Sequence, residues 1–240
     1  MEITIPHLEL TKALDLIGRI STKHITLPVL QCVRLEAKGT NIKLQATNLE
    51  INIEVPINGK VIEEGVVAVP TQIFMQSVQF ISQKEITLRT EDQVLQLETD
   101  NTNTSIKTFS IDEFPNLHQL QGEELPLQGS TFSYGIKSVA FSASGTSIKP
   151  ELGSVFMQQK KEHALTFVAT DSFRLMEKTV SQKSLVIDQS LMIPQKNAVE
   201  LARVCEMVGE DPVLITNENQ CSLRFPNGVY ISTSLVLGIF

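Results

Sequence analysis

The sequence predicts an α+β fold built from two tandem copies of one helix-and-strand unit, and three observations carry that expectation. Four segments space their apolar residues as helices do, the stretches between them alternate with a period of two, and short strings recur about 123 residues apart. Composition permits this: 240 residues with 42% hydrophobic content fill one large core or two ordinary ones.

The helical segments are residues 8–20, 71–82, 131–144 and 195–208, whose starts fall 63, 60 and 64 residues apart. In the first, Leu10, Ala13, Leu14, Ile17 and Ile20 recur at three- and four-residue steps and leave Lys12 and Arg19 on the other side. Pro70 and Pro194 stand just before the second and fourth segments, where a missing amide proton does least harm. Between helices, Ile42, Leu44 and Ala46 alternate with Lys43 and Gln45, and Leu49, Ile51, Ile53 and Val55 with Glu50, Asn52 and Glu54, as in half-buried antiparallel strands. Similar runs follow at 33–37, 66–69, 85–90, 94–98 and 105–109, then again at 155–157, 165–169, 213–216, 222–225 and 229–235.

Pairs of these units are themselves duplicated. Ala46-Thr47-Asn48 matches Ala169-Thr170-Asp171 at an offset of 123, Val69-Pro70 matches Ile193-Pro194 at 124, and Phe114 matches Phe240 at 126. Two domains follow, 1–120 and 121–240, with the Pro-, Gly- and Glu-containing stretch 114–129 as connector. Each carries two helices on one face of antiparallel sheets. Copies laid side by side must curve, with helices lining the inner surface.

Other classes find little support. No stretch approaches about 18 uninterrupted apolar residues, and the start MEITIPHLEL lacks the basic-then-apolar order of a signal peptide, so the expected location is the cytoplasm. Cys32, Cys205 and Cys221 show no CxxC spacing, and His7, His24, His118 and His163 are scattered, so neither a metal site nor a cofactor is expected. Asp171-Ser172 beside Arg174 lacks the base and third group that a serine nucleophile needs, and no phosphate-cradling glycine loop is present.

A net charge of -7 argues against nucleic acid only if it is evenly spread. The helical segments with their adjoining loops hold seven basic residues, Lys12, Arg19, Lys23, Lys137, Lys149, Lys196 and Arg203, against four acidic ones, a net of +3 that leaves -10 elsewhere. A mildly basic helical face inside an acidic shell suits weak, sequence-independent contact with phosphates, and equally a solvated helix face.

The strings Leu27-Pro28-Val29-Leu30, Ala46-Thr47-Asn48-Leu49-Glu50, Val69-Pro70 and Glu113-Phe114-Pro115 resemble, in order and spacing, the first domain of the bacterial DNA polymerase III beta subunit, the sliding clamp. Pro150-Glu151-Leu152, the run from Val168 to Leu175, and Ile193-Pro194-Gln195-Lys196 resemble its second domain. The resemblance implies tandem DNA-clamp domains of a ring homo-oligomer that encircles double-stranded DNA without catalysis and tethers the DNA polymerase III alpha subunit. The clamp loader and other clamp-binding-motif proteins share one peptide pocket between domains two and three. Matching positions place Thr170, Phe173, Arg174 and Leu175 in that pocket, Phe173 standing where the family often has histidine. They place Lys149 and Lys196 first among DNA contacts and His24 where the family often has arginine; Lys12, Arg19, Lys23, Lys137 and Arg203 join them as the other basic residues of the helical segments and their loops. The family's third domain is absent, so the chain reads as the first two domains of a longer clamp. Alternatives are a two-domain clamp closing as a trimer, as in the proliferating-cell nuclear antigen, and a repeat-built binding module that does not contact DNA.

Overall fold

The structure, a computed structural model, describes residues 1–21, 27–145, 149–161, 163–182 and 189–238. The chain divides into two compact units, Met1–His118 and Gln119–Phe240.

In the first unit, β1 (Glu2–Pro6) turns Ile3 and Ile5 inward and runs through Pro6 straight into α1 (His7–Ile17). The proline ring fixes a φ near that of the helix, and its missing N–H would have had no intrahelical acceptor. Next come β2 (Cys32–Lys38), β3 (Asn41–Thr47), β4 (Ile51–Ile57), β5 (Lys60–Glu63) and β6 (Gly65–Pro70), the last passing through Pro70 into α2 (Thr71–Gln79). The unit ends with β7 (Glu85–Glu91), β8 (Val94–Glu98) and β9 (Asn103–Lys107). One antiparallel sheet has the order β5-β1-β7-β8-β9, and strands β4-β3-β2-β6 pair in that order in another. Helix α1 buries Leu10, Ala13, Leu14, Leu16 and Ile17, while α2 buries Phe74 and Val78. Each of the larger side chains, the leucines, Ile17, Phe74 and Val78, contributes about 1.5–3 kcal/mol by leaving water.

The second unit repeats the plan with β10 (Glu123–Pro126), α3 (Gly129–Val139), β11 (Ser154–Lys161), β12 (Ala164–Thr170), β13 (Leu175–Ser181), β14 (Leu191–Pro194), α4 (Gln195–Val208), β15 (Val213–Thr216), β16 (Gln220–Arg224) and β17 (Tyr230–Ser234). Its strands pair as β10-β15-β16-β17 and as β13-β12-β11-β14. Phe132 of α3 meets Phe167 of β12 edge to face at 6.1 Å. Gly135 makes room for that ring: a Cβ there would lie 2.2 Å from Phe167. Helix α4 ends at Gly209, whose φ of 72° few residues adopt cheaply.

Several sequence expectations need correction. Helix α1 stops at Ile17 rather than residue 20, α2 at Gln79 rather than 82, and α3 begins at Gly129 and passes into a 3-10 turn, Ala140–Ser142. The connector expected at 114–129 contains β10, which pairs with β15 at a sheet edge where Pro126 and two glutamates are tolerated. Leu49 is not the first inward residue of β4; it sits in the preceding turn, half exposed, at φ 76°. Strands β1, β5, β13 and β14 were not foreseen. Phe240, expected to mirror Phe114, lies outside the described residues. Among the described residues, no helix is long and apolar enough to cross a membrane.

Candidate functional site

The basic residues of the helical segments fall into distinct electrostatic situations. Lys12 and Arg19 project from and just beyond α1 and are exposed; Lys23 and His24 lie outside the described residues. In the second unit, the Lys137 ammonium on α3 is ion-paired with the Glu206 carboxylate on α4, with both side chains about half exposed. Arg203 donates through Nε to Glu200 Oε2 at 2.7 Å one turn earlier on α4, and the two side chains are only 12% and 20% exposed. Lys196 is exposed in the first turn of α4. Lys149 is exposed at the start of the 3-10 turn Pro150–Gly153, where its carbonyl accepts the Leu152 N–H at 3.1 Å. Lys137 and Arg203 thus each have a carboxylate against them.

The second group gathers in one turn between β12 and β13. Thr170 Oγ1 donates to the Arg174 carbonyl at 2.7 Å and accepts the Ser172 N–H at 3.1 Å. Asp171 Oδ1 accepts the N–H groups of Phe173 and Arg174 at 3.0 and 2.9 Å, and Ser172 sits at φ 75°. These N–H donors, Arg174 first and then Phe173, hold the Asp171 carboxyl below its usual range, with the Arg174 guanidinium adding to the effect. With its polar groups turned inward, the turn pushes its apolar side chains out: Phe173 is 98% exposed and Leu175 61%.

Arg174 ties this turn to the end of α3. Its Nε meets Asp171 Oδ2 at 3.0 Å, its Nη2 donates to the Phe141 carbonyl at 2.8 Å, and its guanidinium lies 5.8 Å from the Phe141 ring centre. Thr170, Phe173, Arg174 and Leu175, which the family resemblance groups together, stand in or beside this one turn, and the structure sets Phe141, itself exposed, against Arg174. Nothing in the sequence links residues 33 apart, and Phe141 falls inside the helix expected over 131–144. Asp171 Oδ1 and the Ser172 N–H are engaged within the turn.

The three cysteines are free and buried, and desolvation pushes their thiols up to about 12. Among the described residues, no cluster of His, Cys, Asp and Glu could hold a metal ion.

The chain is 22% identical over 236 residues to the beta sliding clamp of Rickettsia felis, covering 96% of this chain and 62% of that protein. It is 24% identical over 235 residues to the beta sliding clamp of Haemophilus influenzae, covering 97% and 64%. The chain thus spans somewhat less than two thirds of the length of these relatives. Its fold matches the crystal structures of a DNA polymerase III beta subunit from Eubacterium rectale (TM-score 0.93, 21% identity) and of that from Thermotoga maritima (0.91, 22%), over all of this chain and 66% and 65% of those. Residues 1–118 match the family described as DNA polymerase III beta subunit, N-terminal domain, and residues 126–240 match its central domain. The chain belongs to the DNA polymerase III beta subunit family.

Proposed function

We propose that this chain forms the first two domains, 1–120 and 121–240, of a sliding DNA clamp. It is a non-catalytic processivity factor of the bacterial cytoplasm that helps encircle duplex DNA and tether the DNA polymerase III alpha subunit, the clamp loader and other clamp-binding-motif proteins. Ring closure belongs to the full-length homo-oligomer. The observation that carries this reading is the match of two successive domains of one family, in order, over residues 1–118 and 126–240. The helical faces then supply the DNA contacts: Lys149 and Lys196 lead on the family resemblance, Lys12 and Arg19 follow from the first unit, and Lys137 and Arg203, each held by a carboxylate, stand behind them. The turn bearing Thr170, Phe173, Arg174 and Leu175 supplies half of a peptide pocket, with exposed apolar side chains as its floor.

A duplex should bind weakly and without base preference, because few phosphates are neutralised and the chain is acidic overall. With about three phosphates engaged, log K should fall against log salt with a slope near -2.7. Replacing Lys149 and Lys196 by alanine should flatten that slope in a fluorescence-anisotropy titration. A tight, salt-insensitive or base-specific complex would overturn the reading.

A further inference from the structure

We propose that Glu206 acts as a built-in competitor for phosphate on the helical face of the second unit, holding Lys137 out of the DNA contact and keeping that contact loose. The inference rests on the DNA-binding reading above and deepens it.

Lys137 and Glu206 project from neighbouring helices, α3 and α4, and meet with side chains 50% and 44% exposed. Such a pair is wet and exchangeable, unlike Arg203–Glu200, which lies within one helix and is largely covered. A phosphate oxygen and a glutamate oxygen offer the ammonium the same kind of partner. Before Lys137 can reach a phosphate it must leave Glu206, and the released carboxylate then faces the phosphate backbone. The exchange replaces one anion by another and gains little at long range. Glu210 and Asp211 line the same hollow between α3 and the end of α4, but among the described residues Lys137 is ion-paired with Glu206 alone. Asp211 is partly occupied, accepting the Gly129 N–H at 2.9 Å. Held by Glu206, Lys137 therefore adds little to the count of neutralised phosphates.

The consequence is measurable because salt dependence counts the cations that bind phosphates. Glu206→Gln keeps the size of the side chain and removes its charge, so Lys137 joins the count. The slope of log K against log salt should steepen by about 0.9, and a duplex should bind about eightfold tighter at 0.1 M salt. The experiment is an anisotropy titration of a labelled duplex across a salt series with the parent, Glu206→Gln, Glu206→Gln/Lys137→Ala and, as a control of equal charge change, Glu210→Gln. Circular dichroism monitors folding. Support is a steeper slope in Glu206→Gln that vanishes in the double variant and is not reproduced by Glu210→Gln. The proposal is overturned if Glu206→Gln leaves the slope unchanged, or if Glu210→Gln matches it, while Lys149→Ala and Lys196→Ala still flatten the slope; the DNA-binding reading then stands alone. Should those two lysine variants also leave the slope unmoved, both fall together.

Discussion

The turns before β4 and β13 are built by one recipe and put to opposite uses. In each, a threonine hydroxyl accepts the N–H two residues on: Thr47 from Leu49 at 2.9 Å, Thr170 from Ser172 at 3.1 Å. In each, the next side chain, Asn48 or Asp171, accepts two further N–H groups at 2.9–3.0 Å, and the residue after it is left-handed, with φ of 76° and 75°. Beyond the turn the copies part. Ile51, Ile53, Val55 and Ile57 of β4 are buried, whereas Leu175, Met176 and Glu177 of β13 are exposed. Local polar chemistry sets the backbone, and the side chains that follow decide whether the strand builds core or offers a surface.

The widest gap should appear in stability. Ile53 is fully buried, so Ile53→Ala should destabilise the first unit by about 2–5 kcal/mol, while Leu175→Ala should stay within about 0.5 kcal/mol. Denaturant melts of the two variants measure this directly. Peptide binding should reverse the ranking: Leu175→Ala should weaken a labelled clamp-binding peptide roughly tenfold, a loss of about 1.4 kcal/mol. Equal destabilisation by the two changes, or undiminished peptide binding by a folded Leu175→Ala protein, would erase the distinction between core strand and surface strand.

A second difference lies inside the cores. By position in the repeated elements, Ala13 of α1 corresponds to Gly135 of α3, and Leu44 of β3 to Phe167 of β12. A small helix residue with a large strand residue in one unit answers a slightly larger one with a smaller one in the other, as close packing at constant volume requires. Gly135→Ala should cost about 1–3 kcal/mol, because its methyl would press on the Phe167 ring. Combining it with Phe167→Leu should cost less than the sum of the two changes, a coupling read from a double-mutant cycle. Additive losses would show that the two positions do not compensate.

The same contrast explains what was legible in the sequence. Helix α4 is found at its full extent because its apolar spacing and Pro194 agree, and β3 because its inward residues alternate with polar ones. Strand β13 escaped because most of its side chains face water, leaving no periodic signal. Strand β14 escaped because four residues ending in proline carry no alternation, and β10 because an edge strand tolerates the glutamates and proline that otherwise mark a loop. For the site, the shared Ala-Thr-Asn/Asp strings located the two turns. The Lys137–Glu206 pair and the Arg174–Phe141 contact join residues 69 and 33 apart, so tertiary packing alone creates them.

The subtlest difference between the turns is the charge that Asp171 carries and Asn48 does not. Both side chains accept the same pair of backbone N–H groups, so the turn itself does not require a carboxylate. What the carboxylate adds is its pairing with Arg174 at 3.0 Å, the residue that also reaches the Phe141 carbonyl at 2.8 Å. Its pKa is depressed in the folded state, so whatever stability it contributes is present above its unfolded value of about 3.9 and is lost as pH falls through the lower folded value. Carboxyl chemical shifts followed by NMR should therefore place the Asp171 midpoint below about 3.9. Because the backbone N–H bonds are the leading cause and the guanidinium charge a lesser one, Arg174→Ala should raise that midpoint only part of the way, leaving Asp171 still depressed. A complete return to the ordinary value in that variant would mean that the ion pair, and not the turn, holds the charge.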